Sequence, residues 1–405
     1  MKHSTHLLFT LSLLPTTVIA TAKICINASI PVTISARQAV FNIEIPTTNV
    51  STPDFFLNLT QQGRNFTDIA LEGYQTTAGT YTISTMYCKP DGDNSSDPTI
   101  QVLTHGIGFD KTYWDLPYNN FNYSYIDVAI SKYSYHTLSF DRLGTGQSSH
   151  GNPLNEIQSF IEVSATAALT TMLRNGTFPS APGKSYSRIV HIGHSFGSAQ
   201  TYALAHLYPN LTDGIVLTGF TMNSSFVPYF AAGGNFQQAS ENQPSRFANL
   251  PTSHGTANEL IQGLEVVPAG YMVSSDAAAN KYLFLKPGCY DASILTYAEK
   301  TKQTVTPGEL LTLGSLPMVN RFAGPVMVMV GDADLPYCGS DCFATGGVAD
   351  SLAAAVAESF PNVVGADFEA YVQPDAGHGI NLHYNATGAY GVWLDWLGER
   401  GLARS

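Results

Sequence analysis

The run Gly193-His194-Ser195-Phe196-Gly197 contains the residues best suited by type and spacing to covalent chemistry. An apolar stretch, Arg188 to Ile192, leads into it, and an alanine-rich stretch to Leu207 follows. That setting places Ser195 on a sharp strand-to-helix turn, with its hydroxyl raised above a sheet edge. Glycines two positions to either side permit the turn. A serine hydroxyl is a weak nucleophile and needs a base. His378, in Asp375-Ala376-Gly377-His378-Gly379 just past an expected strand, is better placed than His383 five residues on. The base in turn needs a carboxylate to orient it. Gly331-Asp332-Ala333-Asp334 offers two, of which Asp334, farther out on the loop, is preferred, while Asp332 suits bracing the turn. Negative charge forming on a substrate oxygen needs two backbone N–H donors. Phe196 supplies one. Ile107, in His105-Gly106-Ile107-Gly108, is expected to supply the other, with Gly106 and Gly108 allowing close approach to substrate. His105 is expected to hydrogen-bond to its own loop and not to act as a base.

Alternating strands and helices are needed to hold these groups. After residue 98 short apolar runs recur at Ile100 to Thr104, Thr137 to Phe140, Arg188 to Ile192, Ile215 to Gly219, Pro325 to Val330 and Phe368 to Val372. Helical stretches are expected at Tyr125 to Tyr133, Asn155 to Arg174, Gly197 to Leu207, Val348 to Ser359 and Tyr390 to Leu402. This rhythm predicts an α/β fold with a mostly parallel central sheet and helices on both faces. Residues 23–97 carry β-prone runs at Val32 to Ser35, Val40 to Ile45 and Tyr81 to Tyr87, and read as an N-terminal β-rich extension. Residues 98–220 and 325–405 form the expected core. Residues 221–324 break the rhythm for too long to be a loop and read as an inserted cap.

The formal charge of −12 comes from 31 acidic against 19 basic side chains, with no basic cluster, and argues against nucleic-acid binding. Residues 1–22 read as a signal peptide: Lys2, a mostly apolar stretch to Ala20, then small residues at Ala20-Thr21-Ala22. The stretch is too short and polar for a membrane anchor. Ten Asn-x-Ser/Thr sequons, from Asn27 to Asn385, agree with a glycosylated protein of the secretory pathway. The five cysteines all follow the cleavage point; Cys25 with Cys88 and Cys338 with Cys342 are conceivable pairs, though spacing does not fix the connectivity. A zinc site lacks a second Cys/His pair. The glycines of Asp141-Arg142-Leu143-Gly144-Thr145-Gly146-Gln147-Ser148 lack the Gly-Lys-Ser/Thr ending of a phosphate loop.

From residue 99 onward the chain resembles the α/β-hydrolase superfamily. The resemblance rests on the His-Gly turn at His105, the Asp-Arg-x-Gly-x-Gly-x-Ser loop at Asp141, the Ser195 turn, the Gly-x-x-Asp strand end at Gly331 and the Gly-His at His378, in that order. Signal peptide, sequons and a long N-terminal segment make it similar to secreted hydrolases of filamentous fungi. The resemblance implies the α/β-hydrolase fold, no cofactor, and a Ser195-His378-Asp334 triad acting on a small molecule. Cap aromatics, including Phe226, Tyr229, Phe230, Phe236, Tyr271, Tyr282, Phe284 and Tyr290, and Trp114 in the loop after the His105-Gly106 turn, are candidates to line an apolar pocket; most of the cap aromatics are expected simply to pack. Of these, Trp114, Phe226 and Tyr229 are the chosen pocket residues. With no charged cluster in the cap, an uncharged, moderately apolar ester or lactone is the expected substrate. Lyase-type chemistry on the same fold and a secreted binding protein without catalysis are the rival readings.

Overall fold

The computed structural model describes residues 22–249, 260–261 and 264–403, so the signal-peptide segment falls almost wholly outside the described residues. Eight strands form the central sheet: β1 (Lys23–Phe41), β2 (Leu71–Pro90), β3 (Thr99–Thr104), β4 (His136–Phe140), β5 (Arg188–His194), β6 (Gly214–Thr218), β7 (Val326–Gly331) and β8 (Phe368–Gln373). Their spatial order is β1-β2-β4-β3-β5-β6-β7-β8. β1 and β2 pair antiparallel, β2 meets β4 antiparallel, and from β4 to β8 every pairing is parallel. Strands β3 to β7 are buried along nearly their whole length, as continuous Val/Ile/Leu/Met runs such as Val326–Gly331 require, whereas the edge strand β8 is only partly buried.

The N-terminal β-rich segment is therefore part of the sheet. Its separate runs merge into one long hairpin, and the Val40 to Ile45 run stops at Phe41, where the register shifts. Ile30, Val32, Ile34 and Tyr81 of the hairpin are buried with Ile161, Ala165 and Leu169 of a helix packed on that side. Two short helices, α1 (Ser51–Leu59) and α2 (Phe66–Ala70), lie between the hairpin strands. A disulfide joins Cys25 to Cys88 across the β1–β2 pair, a second joins Cys338 to Cys342, and Cys289 is free.

Helices α3 (Tyr125–Ser131), α4 (Ser159–Asn175) and α5 (Phe196–Leu207) alternate with the strands. α4 starts at Ser159 and not near Asn155, because the Asn155 side chain accepts a hydrogen bond from Phe41 N on the hairpin instead of capping a helix. Between β6 and β7 the chain forms α6 (Val227–Gly234), α7 (Ala277–Phe284), α8 (Ala292–Thr301) and α9 (Pro307–Thr312), with short strands among them. After β7 come α10 (Leu335–Cys338) and α11 (Ala386–Glu399). The helix expected over residues 348–359 shrinks to a 3₁₀ segment, Ala354–Ser359, preceded by Gly346 and Gly347, both at positive φ. The last helix begins four residues earlier than expected and ends at Glu399, short of Gly401. Among the described residues no helix is long and apolar enough to cross a membrane.

Candidate active site

β5 delivers His194 to the sheet edge, and Ser195 then turns at φ 56°, ψ −120° before α5 begins. A non-glycine residue rarely adopts positive φ without compensating contacts. Here Ser195 N donates to the Thr218 carbonyl at the end of β6, and the Ser195 carbonyl accepts from Ser198 N and Ala199 N. A side chain at Gly197 would collide with the Thr104 carbonyl of β3, and one at Gly193 with the first turn of α5. The two glycines thus let the start of α5 sit directly against β5 and against the end of β3.

Ser195 Oγ lies 2.8 Å from His378 Nε2, and His378 Nδ1 lies 2.7 Å from Asp334 Oδ2. The three residues come from the ends of β5, β8 and β7, far apart in sequence but adjacent at one sheet edge. Asp334 and the His378 side chain are fully buried, whereas Ser195 keeps 8% of its surface exposed. With Asp334 accepting from Nδ1–H, Nε2 is left to accept the serine proton. Asp334 also caps α10, its Oδ1 accepting from Tyr337 N at 3.1 Å. The Cys338–Cys342 disulfide closes the next loop, whose Ser340 N donates to the Asp334 carbonyl.

The competing residues have other partners. Asp332 accepts from Lys286 Nζ at 2.7 Å and from Ala376 N. His383 Nε2 accepts from Lys286 N and Gly377 N, so its proton sits on Nδ1, facing the Gly379 carbonyl at 2.9 Å. Burial pushes the His383 pKa down to about 4, which keeps it neutral. It braces the loop that carries His378.

Phe196 is the first residue of α5, so its N–H has no acceptor within the helix. Gly106 packs against the nucleophile: a Cβ there would lie 2.8 Å from Ser195 Cβ. Ile107 is buried in the following turn, and Gly108, at φ 82°, faces the Phe284 ring. Trp114, expected as a pocket wall, is instead fully buried between Tyr113 and Tyr125 in the core, because the loop after Gly108 turns inward as a 3₁₀ segment. Phe226 packs over Gly339 beyond α10, and Tyr229 is 54% exposed; neither ring is among those against His378. Those are Phe284 of α7 (6.1 Å between centroids, nearly parallel), Phe230 of α6, Tyr337 and His194.

Phe230 and Phe284 stood in the cap's aromatic set, but composition offered no means of choosing them over Phe226 and Tyr229. His194 lay within the serine motif itself. Its ring stacks on Tyr113 at 4.5 Å, and Nδ1 is 3.2 Å from Thr218 Oγ1. Burial, then the neighbouring His378 and His105, holds His194 far below the usual imidazole pKa, so it adds no charge beside His378. Burial likewise raises Tyr337 above the ordinary phenol value and keeps it neutral. Among the described residues no group of three His, Cys, Asp or Glu side chains converges as a metal site.

The family model for the alpha/beta hydrolase family matches residues 101–388, which span every element named above from β3 to the start of α11. The chain belongs to the alpha/beta hydrolase family. No curated protein matches the sequence. Similar solved structures of this fold include a thermophilic esterase from Thermogutta terrifontis, 15% identical, with TM-score 0.49, covering 79% of this chain and 94% of that one. An epoxide hydrolase from Vigna radiata is 14% identical, with TM-score 0.45 and coverage of 79% and 95%. Est1E from Butyrivibrio proteoclasticus, solved with ferulic acid, is 11% identical, with TM-score 0.44 and coverage of 79% and 96%.

Proposed function

We propose that the protein is a secreted serine hydrolase that cleaves an uncharged, moderately apolar ester or lactone through an acyl-enzyme. The observation that carries this reading is the continuous hydrogen-bonded chain from Ser195 Oγ through His378 to Asp334. As Ser195 Oγ attacks the substrate carbonyl carbon, its proton passes to His378 Nε2, and Asp334 stabilises the imidazolium. The Phe196 N–H and the Ile107 N–H receive the developing oxyanion. Collapse breaks the C–O bond, and the leaving oxygen takes the proton from His378. A water molecule then repeats the sequence in reverse, releasing the acid and restoring Ser195.

The rings of Phe230, Phe284 and Tyr337 around His378, with neutral His194 beside it, favour an uncharged acyl group. Two disulfides support passage through an oxidising compartment. Residues 98–220 and 325–405 serve as the catalytic body, and residues 221–324 as the cap that shapes the acyl pocket. The test is a panel of p-nitrophenyl esters and lactones with the glycosylated protein, joined to fluorophosphonate labelling. Turnover and labelling should both vanish in Ser195→Ala, with rate losses of about 10⁴ to 10⁶. Turnover that survives Ser195→Ala would instead favour a non-covalent, lyase-type reaction. Silence on the whole panel with tight ligand binding would point to a binding protein.

A further inference from the structure

The turn after β3 contains a fully buried imidazole, His105, whose two nitrogens meet partners of opposite kind. Nε2 lies 3.1 Å from the backbone nitrogen of Arg142. A backbone N–H can only donate, so Nε2 must present its lone pair, and the proton of the neutral ring resides on Nδ1. Thr145 Oγ1 also stands 3.4 Å from Nε2, but its own proton goes to the Arg142 carbonyl at 2.9 Å. Burial first, then the positive charge of Arg142, holds the His105 pKa far below the usual imidazole value, so the neutral ring persists at physiological pH.

Nδ1–H faces the carbonyl oxygen of Gly106 at 2.9 Å and donates to it. The described chain contains no cis peptide bonds, and in a trans peptide the C=O and the next N–H point in opposite directions. Drawing the Gly106 carbonyl toward His105 therefore turns the Ile107 N–H away from it. This peptide stands beside the nucleophile, since Gly106 abuts Ser195 Cβ. Arg142, which fixes the tautomer, is itself held firmly. Its guanidinium pairs with buried Glu162 and Glu309 and lies 4.8 Å over the ring of Phe196.

We infer that His105 is a positioning residue: locked as its Nδ1–H tautomer by the Arg142 amide, it sets the Gly106–Ile107 peptide so that the Ile107 N–H serves as the second oxyanion donor. The inference rests on the serine-hydrolase reading above. Arg142 consequently supports both donors, one through His105 and the other through the Phe196 ring.

Two substitutions separate the functions of the two nitrogens. His105→Asn keeps a donor at the position of Nδ1 and loses the acceptor for Arg142. His105→Gln keeps an acceptor near Nε2 and loses the donor to Gly106. On whichever ester the wild type turns over, His105→Gln should lower kcat by about 10- to 100-fold with KM nearly unchanged, a part of the loss seen when an oxyanion donor is removed. His105→Asn should recover most of that loss. Affinity for a trifluoromethyl ketone, which forms the tetrahedral adduct, should fall in His105→Gln in parallel with kcat.

Full kcat in His105→Gln, or equal losses in both variants tracking their melting temperatures, would overturn the inference. Nitrogen-15 NMR of histidine-labelled wild-type protein tests it without substitution. One imidazole, assigned by its absence in either variant or by its coupling to the Arg142 amide, should remain Nδ1-protonated from pH 5 to 9. An Nε2-protonated or titrating His105 refutes it. Failure of the serine-hydrolase reading is distinguishable: the wild type itself would then neither turn over esters nor be labelled.

Discussion

Ser195, His378 and Asp334 are each held by a partner outside their mutual chain: the Thr218 carbonyl, the loop braced by His383, and the α10 amide of Tyr337. The neighbouring acid and histidine do different work, which gives a paired test. Asp334→Asn should cost several powers of ten in kcat, because the amide favours the wrong imidazole tautomer. Asp332→Asn, which weakens one arm of the Lys286 pairing, should change kcat by less than about tenfold and lower the melting temperature slightly. Steady-state kinetics and thermal melts of the two variants decide it. The serine, the histidine and the acid were legible because each follows a strand end in the chain order this fold uses. Trp114 was not, since a large aromatic two turns from a substrate loop looks the same whether it faces the cavity or the core. Only the inward 3₁₀ turn at Lys111–Tyr113 distinguishes them.

Strand and helix periodicity located the elements of the parallel sheet to within a few residues, because buried runs such as Val326–Gly331 are bounded by turn residues. Boundaries failed where tertiary contacts override local preference: Asn155 serves the hairpin and not α4, and the glycines before residue 348 delay the next helical turn to Ala354. The element most exposed to perturbation is α10. It is four residues long, is capped at its start by Asp334 and ends in the Cys338–Cys342 bridge. Replacing both cysteines by alanine should loosen the carboxylate and lower kcat by about tenfold or more, since small misplacements of a reacting constellation are costly. The rest of the fold should be little changed. A circular dichroism spectrum matching wild type, together with the reduced kcat, is the expected result; unchanged kcat would show that the Asp334–Tyr337 cap suffices alone.

Across the molecule, buried ionisable groups oppose one another as pH changes. Burial depresses His150 and His383 to about 4 and His191 to about 3, so each favours the folded state above its unfolded value. That stability is lost as pH falls below about 6.5. Burial, opposed by Arg142 and reinforced by Glu309, raises Glu162 to about 8, and burial raises Glu265 to about 7. Their contribution is present below about 4.5 and is lost as pH rises through those values. The histidines outnumber the glutamates where the windows overlap, so stability should climb to a maximum near pH 6.5 and then decline. Melting temperatures from pH 4.5 to 9 test this, and Glu162→Gln should flatten the alkaline decline.

The Cys25–Cys88 bridge spans 63 residues and moors the sheet's outermost strand to its neighbour. Closing a loop of that length restricts the unfolded chain by about 4 kcal/mol. Production in a host cytoplasm rich in reduced glutathione should therefore give a chain with a frayed edge and a tendency to precipitate. Export to an oxidising compartment should yield dispersed monomer or a defined oligomer. Soluble fraction and free-thiol titration in the two hosts, with one thiol per chain expected for the exported form, measure how much of this protein's manufacture depends on its sulfur–sulfur bonds, and a Cys25→Ala/Cys88→Ala variant made in the exporting host isolates the share of this one.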